Sequence, residues 1–286
     1  MIIQHNIAAI NSYRNLGINQ SGLNKNLEKL SSGYRINRAG DDAAGLAISE
    51  SMRSQINGLN QATKNAQDAV GLIQTAEGAL TEVHSMLQRL TTLASQSANG
   101  TYNSVARANL QSEVDELMAE IDRIANYTDF NGIKPLAHVG NAGAMTFQIG
   151  PSQGETLKLN GSDMTVSQIF SDAASGIMNA GKTSINIDGG KSTATANKAI
   201  SAISDAINKV SSYRAKLGAA QNRLEHTINN LKVTSENITA AESRIRDTDM
   251  ADEITSFTKN NILLQASQSM LAQSNSVPQS VLSLLS

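Results

Sequence analysis

The sequence predicts a mainly α-helical protein: a long antiparallel coiled-coil helix bundle with a small β-hairpin region. Large aliphatic residues recur at every seventh position between residues 203 and 245, and a second apolar series of equal length spans residues 52 to 94. This spacing is that of a coiled-coil seam. Apolar series also run through both chain ends, which predicts a chain folded back on itself so that its two termini pair.

Composition argues against several classes of function. The 286 residues include no cysteine, which excludes disulfides and thiolate chemistry. The net charge of −2, without any Lys/Arg run, gives little support for nucleic-acid binding. No stretch of about 18 apolar residues predicts a membrane span, and the short apolar start lacks the basic segment of a cleaved signal peptide. We therefore expect no nucleic-acid partner, no membrane insertion and no removed leader.

The first predicted helix runs from residue 2 to about residue 32. Gly33 is placed as a helix stop, and Asp41 or Asp42 supplies the N-cap of the next helix. Apolar residues in the first helix recur at three- and four-residue steps, with Gln20 as a polar exception. They are Ala9, Tyr13, Leu16, Leu23, Leu27 and Leu30.

Three further helices carry matching seams. The second is predicted over residues 43 to 98. The third is capped by Ser104 and ends near Thr128. The long helix that follows the β region contains the strictest repeat: Ile203, Val210, Leu217, Leu224, Leu231, Ile238 and Ile245. Three helices with matched seams predict a bundle, because each seam needs partners to cover it.

A β-hairpin is predicted between the third helix and the long helix. Met145, Phe147 and Ile149 alternate with polar residues, as do Leu157 and Leu159. The joining stretch 150–154 also matches the pattern G-x-S-x-G. A nucleophile elbow needs a strand-to-helix turn, so a hairpin turn is the favoured interpretation. A short helix near 166 to 175 and a short strand near 184 to 188 complete this region.

The last helix begins after Asp249, and its apolar line can pair with that of the first helix. The predicted assembly seam joins both ends of the chain: Leu16, Leu23, Leu30, Phe257, Leu264, Leu271 and Leu284. A single pair of helices about 30 residues long is marginally stable in water. We therefore expect neighbouring copies to cover this pair, and contacts repeated by an operator that does not close produce a filament.

Long motifs near both chain ends give the sequence a family resemblance. They include LEKLSSGYRINRAGDDAAGLAI from Leu27, QTAEGAL from Gln74, RAKLGAAQNRLEH from Arg214, ENITAAESRIRD from Glu236 and MLAQSN from Met270. With these motifs in this order, the chain resembles bacterial flagellin.

The resemblance implies a structural subunit that polymerises into the bacterial flagellar filament for swimming motility. It implies secretion by flagellar type III export without a cleaved signal. Residues 1–42 and 247–286 would form domain D0, the inner tube, and residues 43–176 and 190–246 would form D1. Residues 177–189 would be a short residual variable region. The implied partners are other copies of the chain, an export chaperone, the filament cap and the hook–filament junction proteins.

The resemblance also implies a receptor surface in D1. The motif QRLTTLA from Gln88 matches the family's site for host Toll-like receptor 5. By that motif Arg89 and Leu93 carry over, as does Glu113 on the third helix. Without the family motif, the sequence predicts that Arg89 is a solvated helix residue and that Leu93 is a seam residue.

Other functions have less support. The alternative to a filament subunit is a non-polymeric helical junction or interaction module of the flagellar apparatus. A membrane-active protein is disfavoured because cationic residues do not flank the apolar faces. Four histidines without H-E-x-x-H spacing point to no metal site, and no polar constellation predicts a catalytic residue, a cofactor or an enzyme. The connector residues Arg35, Arg38, Asp41 and Asp42 form either a polar network between subunits or a solvated loop.

Overall fold

The computed structural model describes residues 6–137, 144–171, 185–187 and 193–285. Its elements, in chain order, are α1 (Ile7–Ser32), α2 (Ala43–Ala98), α3 (Ser104–Tyr127), β1 (Ala144–Gln148), β2 (Thr156–Asn160), α4 (Val166–Ile169), α5 (Thr193–Arg246) and α6 (Met250–Leu285). The predicted fold class, mainly α with one small hairpin, is confirmed. In the described part of the chain, no helix combines the length and apolar character needed to cross a membrane.

The chain forms two compact units. Unit 1 contains the residues up to Asn57 together with those from Ser235 onward, and unit 2 contains Gly58 to Thr234. The division falls inside α2 and α5, so each long helix contributes to both units. The domain boundaries inferred from the family resemblance, after residues 42 and 246, stay a prediction.

The helix ends are fixed by local side-chain and glycine contacts. Asn6 accepts a hydrogen bond from the Ala9 N–H at 3.1 Å and caps α1, which begins at Ile7; residues 2–5 of the predicted helix lie outside the described residues. The predicted stop at Gly33 is confirmed, because this residue has φ 75° and its N–H donates to the Lys29 carbonyl. Left-handed backbone of this kind favours glycine at a helix C-terminus.

Of the predicted N-caps of α2 and α3, the first is confirmed and the second is wrong. Asp42 caps α2, since its Oδ1 accepts from the Gly45 N–H at 2.9 Å. The prediction of Ser104 as the α3 cap is wrong by one residue. Asn103 accepts from the Ala106 N–H at 2.7 Å, and Ser104 is the first helical residue. Asparagine and serine are both good N-caps, so the sequence alone does not distinguish them.

The core of unit 2 lies among α2, α3 and α5, and the hairpin closes it. Leu80 and Leu87 of α2, Ile121 of α3, and Leu217 and Leu224 of α5 are all fully buried in one cluster. The predicted seam of α5 is thus buried from Ile203 to Leu231. Each such side chain contributes about 1.5–3 kcal/mol of transfer free energy.

The hairpin is antiparallel, as predicted. Met145 pairs with Leu159 and Phe147 pairs with Leu157, so these apolar residues share one face of the two-stranded sheet. Residues 149–155 join the two strands, with Gly154 at φ 90°. The G-x-S-x-G stretch is therefore a hairpin connection between strands and not a strand-to-helix elbow.

The region after the hairpin is described only in part. The predicted helix near 166 to 175 is shorter where it is described, because α4 ends at Ile169, and residues from 172 lie outside the described part. Of the predicted strand near 184 to 188 and of the variable region 177–189, only residues 185–187 are described. Ile187 is buried; its N–H donates to Gln111 Oε1, and its carbonyl accepts from Ser97 Oγ, both at 2.7 Å.

Candidate self-association surface

The first and last helices of the chain pair antiparallel in unit 1. Asn6 Nδ2 donates to the Ser274 carbonyl at 2.8 Å near one end, and Lys29 lies 3.8 Å from Glu253 near the other. Beyond Lys29, Tyr34 forms an antiparallel β-bridge with Asp247. The predicted pairing of the two chain ends is therefore present along the length of α1.

The apolar seam between α1 and α6 contains most of the predicted residues. Leu16, Leu23 and Leu30 of α1 are half-buried, as are Phe257, Leu264 and Leu271 of α6: these six lie on the shared face. Leu284 belongs to α6, but its side chain lies outside the described residues. The role of this seam in filament assembly stays a proposal.

The second line of the α1 seam is polar, contrary to the prediction. Tyr13 is 70% exposed and Leu27 is 47% exposed. Partly or fully buried polar residues, Ser12, Asn19 and Asn26, lie four residues before Leu16, Leu23 and Leu30. The prediction placed the second line of the seam three residues before each leucine, whereas the structure places it four residues before. A single partner helix covers only one narrow stripe, so the flank with Tyr13 and Leu27 stays uncovered.

Unit 1 has little buried apolar core. In its described part, Ile36 is the one apolar side chain that is fully buried, at 2% exposure. By contrast, α1 and α6 carry a set of exposed large apolar side chains, which we call the outer apolar surface. It comprises Ile7, Ile10, Tyr13, Ile18 and Leu27 of α1 with Ile254, Ile262, Leu263, Met270 and Val277 of α6.

The part of the outer apolar surface that lies near the two chain ends, up to Tyr13 of α1 and from Ile262 of α6, is free of charged residues. The sequence from residue 260 to residue 286 contains no Asp, Glu, Lys or Arg, and neither does the sequence from residue 1 to residue 13. Copies of this part of the surface could approach one another without like-charge repulsion. Exposed apolar patches of this extent mark interaction sites in proteins.

The connector residues Arg35, Arg38 and Asp41 make polar contacts within the chain, and the network between subunits stays a prediction. Arg38 Nε donates to Glu28 at 2.8 Å, and Arg35 Nη2 donates to the Ile245 carbonyl at 2.7 Å. The backbone N–H groups of Arg38 and Asn37 donate to the Asp41 carboxylate, which holds the pKa of Asp41 below its ordinary value.

The two connectors are held together by a contact that sequence reasoning missed. Arg246 Nη1 donates to Glu50 at 2.6 Å, and the Arg246 guanidinium lies 4.8 Å from the centre of the Tyr34 ring. The Arg35 N–H donates to the Arg246 carbonyl, and the Thr248 N–H to the Gly33 carbonyl. Because Glu50 and Arg246 are 196 residues apart, no local pattern could have signalled this contact.

The predicted receptor residues are only partly accessible. Arg89 Nε and Nη2 contact Glu113 Oε1 at 2.8 and 2.7 Å on the exposed side of α2 and α3. Leu93 is 0% exposed and belongs to the core of unit 2. Its position on α2 faces the bundle core, and its role in receptor recognition stays a prediction.

Comparison with known proteins agrees with this arrangement. The model of the bacterial flagellin N-terminal helical region matches residues 3–140, and that of the C-terminal helical region matches residues 200–285. The flagellin of Bacillus subtilis strain 168 is 51% identical over 303 residues. The flagellar filament 33 kDa core protein of Treponema phagedenis is 48% identical over 294 residues. Both alignments cover the whole of both chains.

A solved structure shares the fold at low identity. A flagellar hook-associated protein from Vibrio parahaemolyticus aligns with a TM-score of 0.59 at 14% identity. The alignment covers 72% of this chain and 100% of that one. At this identity the likeness concerns the fold alone.

The helical fold and the uncovered apolar surface define a self-associating structural protein. The chain belongs to the bacterial flagellin family. It is accordingly a structural subunit that polymerises into the flagellar filament, which serves bacterial motility. The protein is located in that filament.

Proposed function

We propose that the outer apolar surface and the α1/α6 seam are the elements that build the filament from this chain. The single observation that carries the proposal is the contrast between the two units. Unit 2 buries most of its large apolar residues in one core, whereas α1 and α6 leave the ten large apolar side chains of the outer apolar surface exposed. Burial of each against a neighbouring copy would contribute up to about 1.5–3 kcal/mol.

The same contrast supports a gain of order on assembly. A helix pair with a half-polar seam and little buried core opens at a low free energy. Hydrogen exchange of the monomer should therefore be fast in α1 and α6 and slow in the unit 2 part of α2 and α5. In the assembled state, the amides of α1 and α6 should become protected. Strong protection of both terminal helices in the monomer would contradict this.

Polar substitution of the outer apolar surface tests its role in assembly. We expect Ile262→Gln combined with Met270→Gln to prevent filament formation while the helix content by circular dichroism stays unchanged. Val105→Gln, at an exposed apolar residue of α3 in unit 2, is the matched control and should still form filaments. Filaments are scored by electron microscopy after precipitant salt is added. Normal filaments from the double variant would sink the proposal.

A non-polymeric junction or interaction module of the flagellar apparatus is the alternative function. The fold does not separate the two functions, because a hook-associated protein shares it. The full-length identity to filament proteins favours the filament subunit. Long tubes at high protein concentration would support the filament subunit, and their absence under every precipitant condition would favour the junction module.

The further partners and the export route belong to the same proposal. Before assembly, the exposed apolar side chains of α6 would need a cover, which a flagellar export chaperone would supply during type III export. The filament cap and the hook–filament junction proteins would meet the same terminal helices at the two filament ends. A chaperone that binds the parent chain but not the Ile262→Gln, Met270→Gln variant would support this assignment.

The second candidate function is recognition by host Toll-like receptor 5. It rests on one observation: Arg89 and Glu113 form an exposed ion pair that joins α2 and α3 at the matched motif. Leu93 would support this surface from the core without touching the receptor. Binding of monomeric protein to the receptor ectodomain should fall with Arg89→Ala. Unchanged binding would exclude Arg89 from the site.

A further inference from the structure

The apolar residues between α1 and α6 do not define a unique alignment of the two helices. Leu16, Leu23 and Leu30 repeat every seven residues, and the facing α6 residues Phe257, Leu264 and Leu271 have the same period. A slip of α6 by seven residues would bring leucines against apolar residues again. It would also move α6 by about 10 Å along α1.

A close approach between α1 and α6 distinguishes the observed alignment from the slipped ones. A Cβ atom at Gly22 would lie 3.1 Å from Asn260 Nδ2, so the glycine makes room for the asparagine side chain. A slip of seven residues in one direction would bring Asn260 to Lys29, and in the other direction to Asn15. Both residues are larger than glycine, so Asn260 has its space in the observed alignment alone.

Hydrogen bonds beside this approach agree with the same alignment. Asn19 Nδ2 donates to Ser267 Oγ at 2.8 Å and lies 3.4 Å from the Leu263 carbonyl. A slip in one direction would replace Ser267 by the bulkier Asn260, whereas the opposite slip would bring Ser274, so this hydrogen bond disfavours the first slip only. The Lys29–Glu253 contact would be lost by a slip in either direction, whereas the Asn6 hydrogen bond goes to a backbone carbonyl and does not distinguish the registers.

The polar seam residues are poorly explained by stability alone. Asn26 is 8% exposed, and its Nδ2 has no hydrogen-bond partner. A buried amide without a partner costs about 1–3 kcal/mol. In coiled coils, asparagine at a seam position selects one alignment of the helices at a cost in stability. The α1/α6 seam has the same composition: apolar residues in one line and polar residues in the other.

We propose that the Gly22–Asn260 approach and the Asn19–Ser267 hydrogen bond set the register of α6 against α1. This inference rests on the proposed function of the outer apolar surface. A seven-residue slip would move the exposed Ile262 and Met270 of α6 by about 10 Å relative to the exposed Ile10 and Ile18 of α1. The next copy of the chain would then meet a different arrangement of these side chains.

Disulfide trapping measures the register directly, because the chain has no cysteine of its own. Asn6→Cys is combined in separate chains with Ser274→Cys for the observed register or with Val281→Cys for one slipped register. Ile10→Cys with Leu263→Cys reports the other slip and leaves Ser267 in place. In the parent chain, trapping at position 274 should exceed trapping at either other position by about tenfold. Yields are measured by mass spectrometry under assembly conditions.

Two variants then change the residues that set the register. Gly22→Gln fills the space of Asn260, and Asn19→Leu removes the hydrogen bond to Ser267. Gly22→Gln should bring trapping in the observed register and in both slipped registers close to equality, and Asn19→Leu should do so for the slip that brings Asn260 to position 19. Gly17→Gln is the matched control, because a Cβ atom at Gly17 would have no neighbour within 4 Å. It should keep the parent ratio.

The outcomes separate the inference from the function on which it rests. An unchanged ratio in Gly22→Gln and Asn19→Leu would overturn the register assignment. Loss of trapping at all three positions would also overturn it, because these residues would then hold the pair together without selecting its alignment. Failure of the parent chain to form filaments would contradict the proposed function, while its trapping ratio would still report the register.

Discussion

Arg246 donates a 2.6 Å hydrogen bond to Glu50 and thereby ties the end of α5 to the first part of α2 within unit 1. This hydrogen bond holds the pKa of Glu50 below its ordinary value of 4.5, with a smaller contribution from the nearby Arg53. A carboxylate with a lowered folded-state pKa stabilises the fold above its unfolded pKa. That stabilisation is lost as the pH falls through the folded pKa.

The first prediction follows from this dependence of stability on pH. At neutral pH the parent chain should be more stable than Glu50→Gln. The difference should shrink below about pH 4, because Glu50 becomes protonated in the parent. Thermal unfolding of both chains across the pH range gives the difference directly. An offset that is independent of pH would show that the ion pair does not contribute in this way.

The second prediction concerns the seam of α1 and α6. Leu264→Asp places a charge on the half-buried face of α6, where burial of an unpaired charge costs several kcal/mol. We expect loss of filaments by electron microscopy, while circular dichroism still shows the helices of unit 2. Gln265→Asp adds the same charge at the exposed neighbouring position and should reduce assembly far less. Filaments from Leu264→Asp would mean that the seam is wrongly assigned.

The third prediction separates core from surface at the matched receptor motif. Leu93→Ala should lower the free energy of unfolding by about 2–5 kcal/mol, because it opens a cavity in the core of unit 2. Arg89→Ala removes an exposed ion pair and should cost less than about 1 kcal/mol. Urea unfolding of both variants measures the two values. Similar costs for the two substitutions would contradict the burial of Leu93.

The fourth prediction compares two glycines of α2. Gly78 has no neighbour within 4 Å of an added Cβ, so Gly78→Ala should stabilise the helix by up to about 1 kcal/mol. At Gly58 the added Cβ would lie 2.7 Å from the Pro151 Cβ, at the hairpin connection. Gly58→Ala should therefore cost about 1–3 kcal/mol. Equal stabilisation by both, in thermal unfolding, would exclude close packing of the hairpin against Gly58.

The inner bundle could be predicted from the sequence because its seams are strict and fully covered. Leu217 and Leu224 repeat without interruption, and the neighbouring helices bury both. The hairpin was equally accessible, since Phe147 and Leu157 alternate with polar residues on either side of a turn. Where a regular pattern and complete burial coincide, periodicity alone gives the correct face.

Only one of the two lines of residues in the α1/α6 seam could be predicted from the sequence. Leu16 and Leu264 lie on the face that α1 and α6 share, as predicted. Tyr13, three residues before Leu16, is also predicted in the seam, but the structure has Asn19, three residues after Leu16, at the seam and Tyr13 in solvent. Hydrophobicity cannot identify such a position, because the residue in the seam is polar and the apolar residue is exposed. The Glu50–Arg246 hydrogen bond could not be predicted from the sequence for another reason: it depends on how two segments that are far apart in the chain come together in the fold.

The β-bridge between Tyr34 and Asp247 has a mechanical consequence. Its two backbone hydrogen bonds, from Arg35 to Arg246 and from Thr248 to Gly33, lie side by side across the connectors. Within one chain, the covalent path for torque from α1 and α6 to α2 and α5 runs through these two segments. Since shear between the segments loads both hydrogen bonds at once, they resist it jointly, and the bridge braces the two connectors against each other.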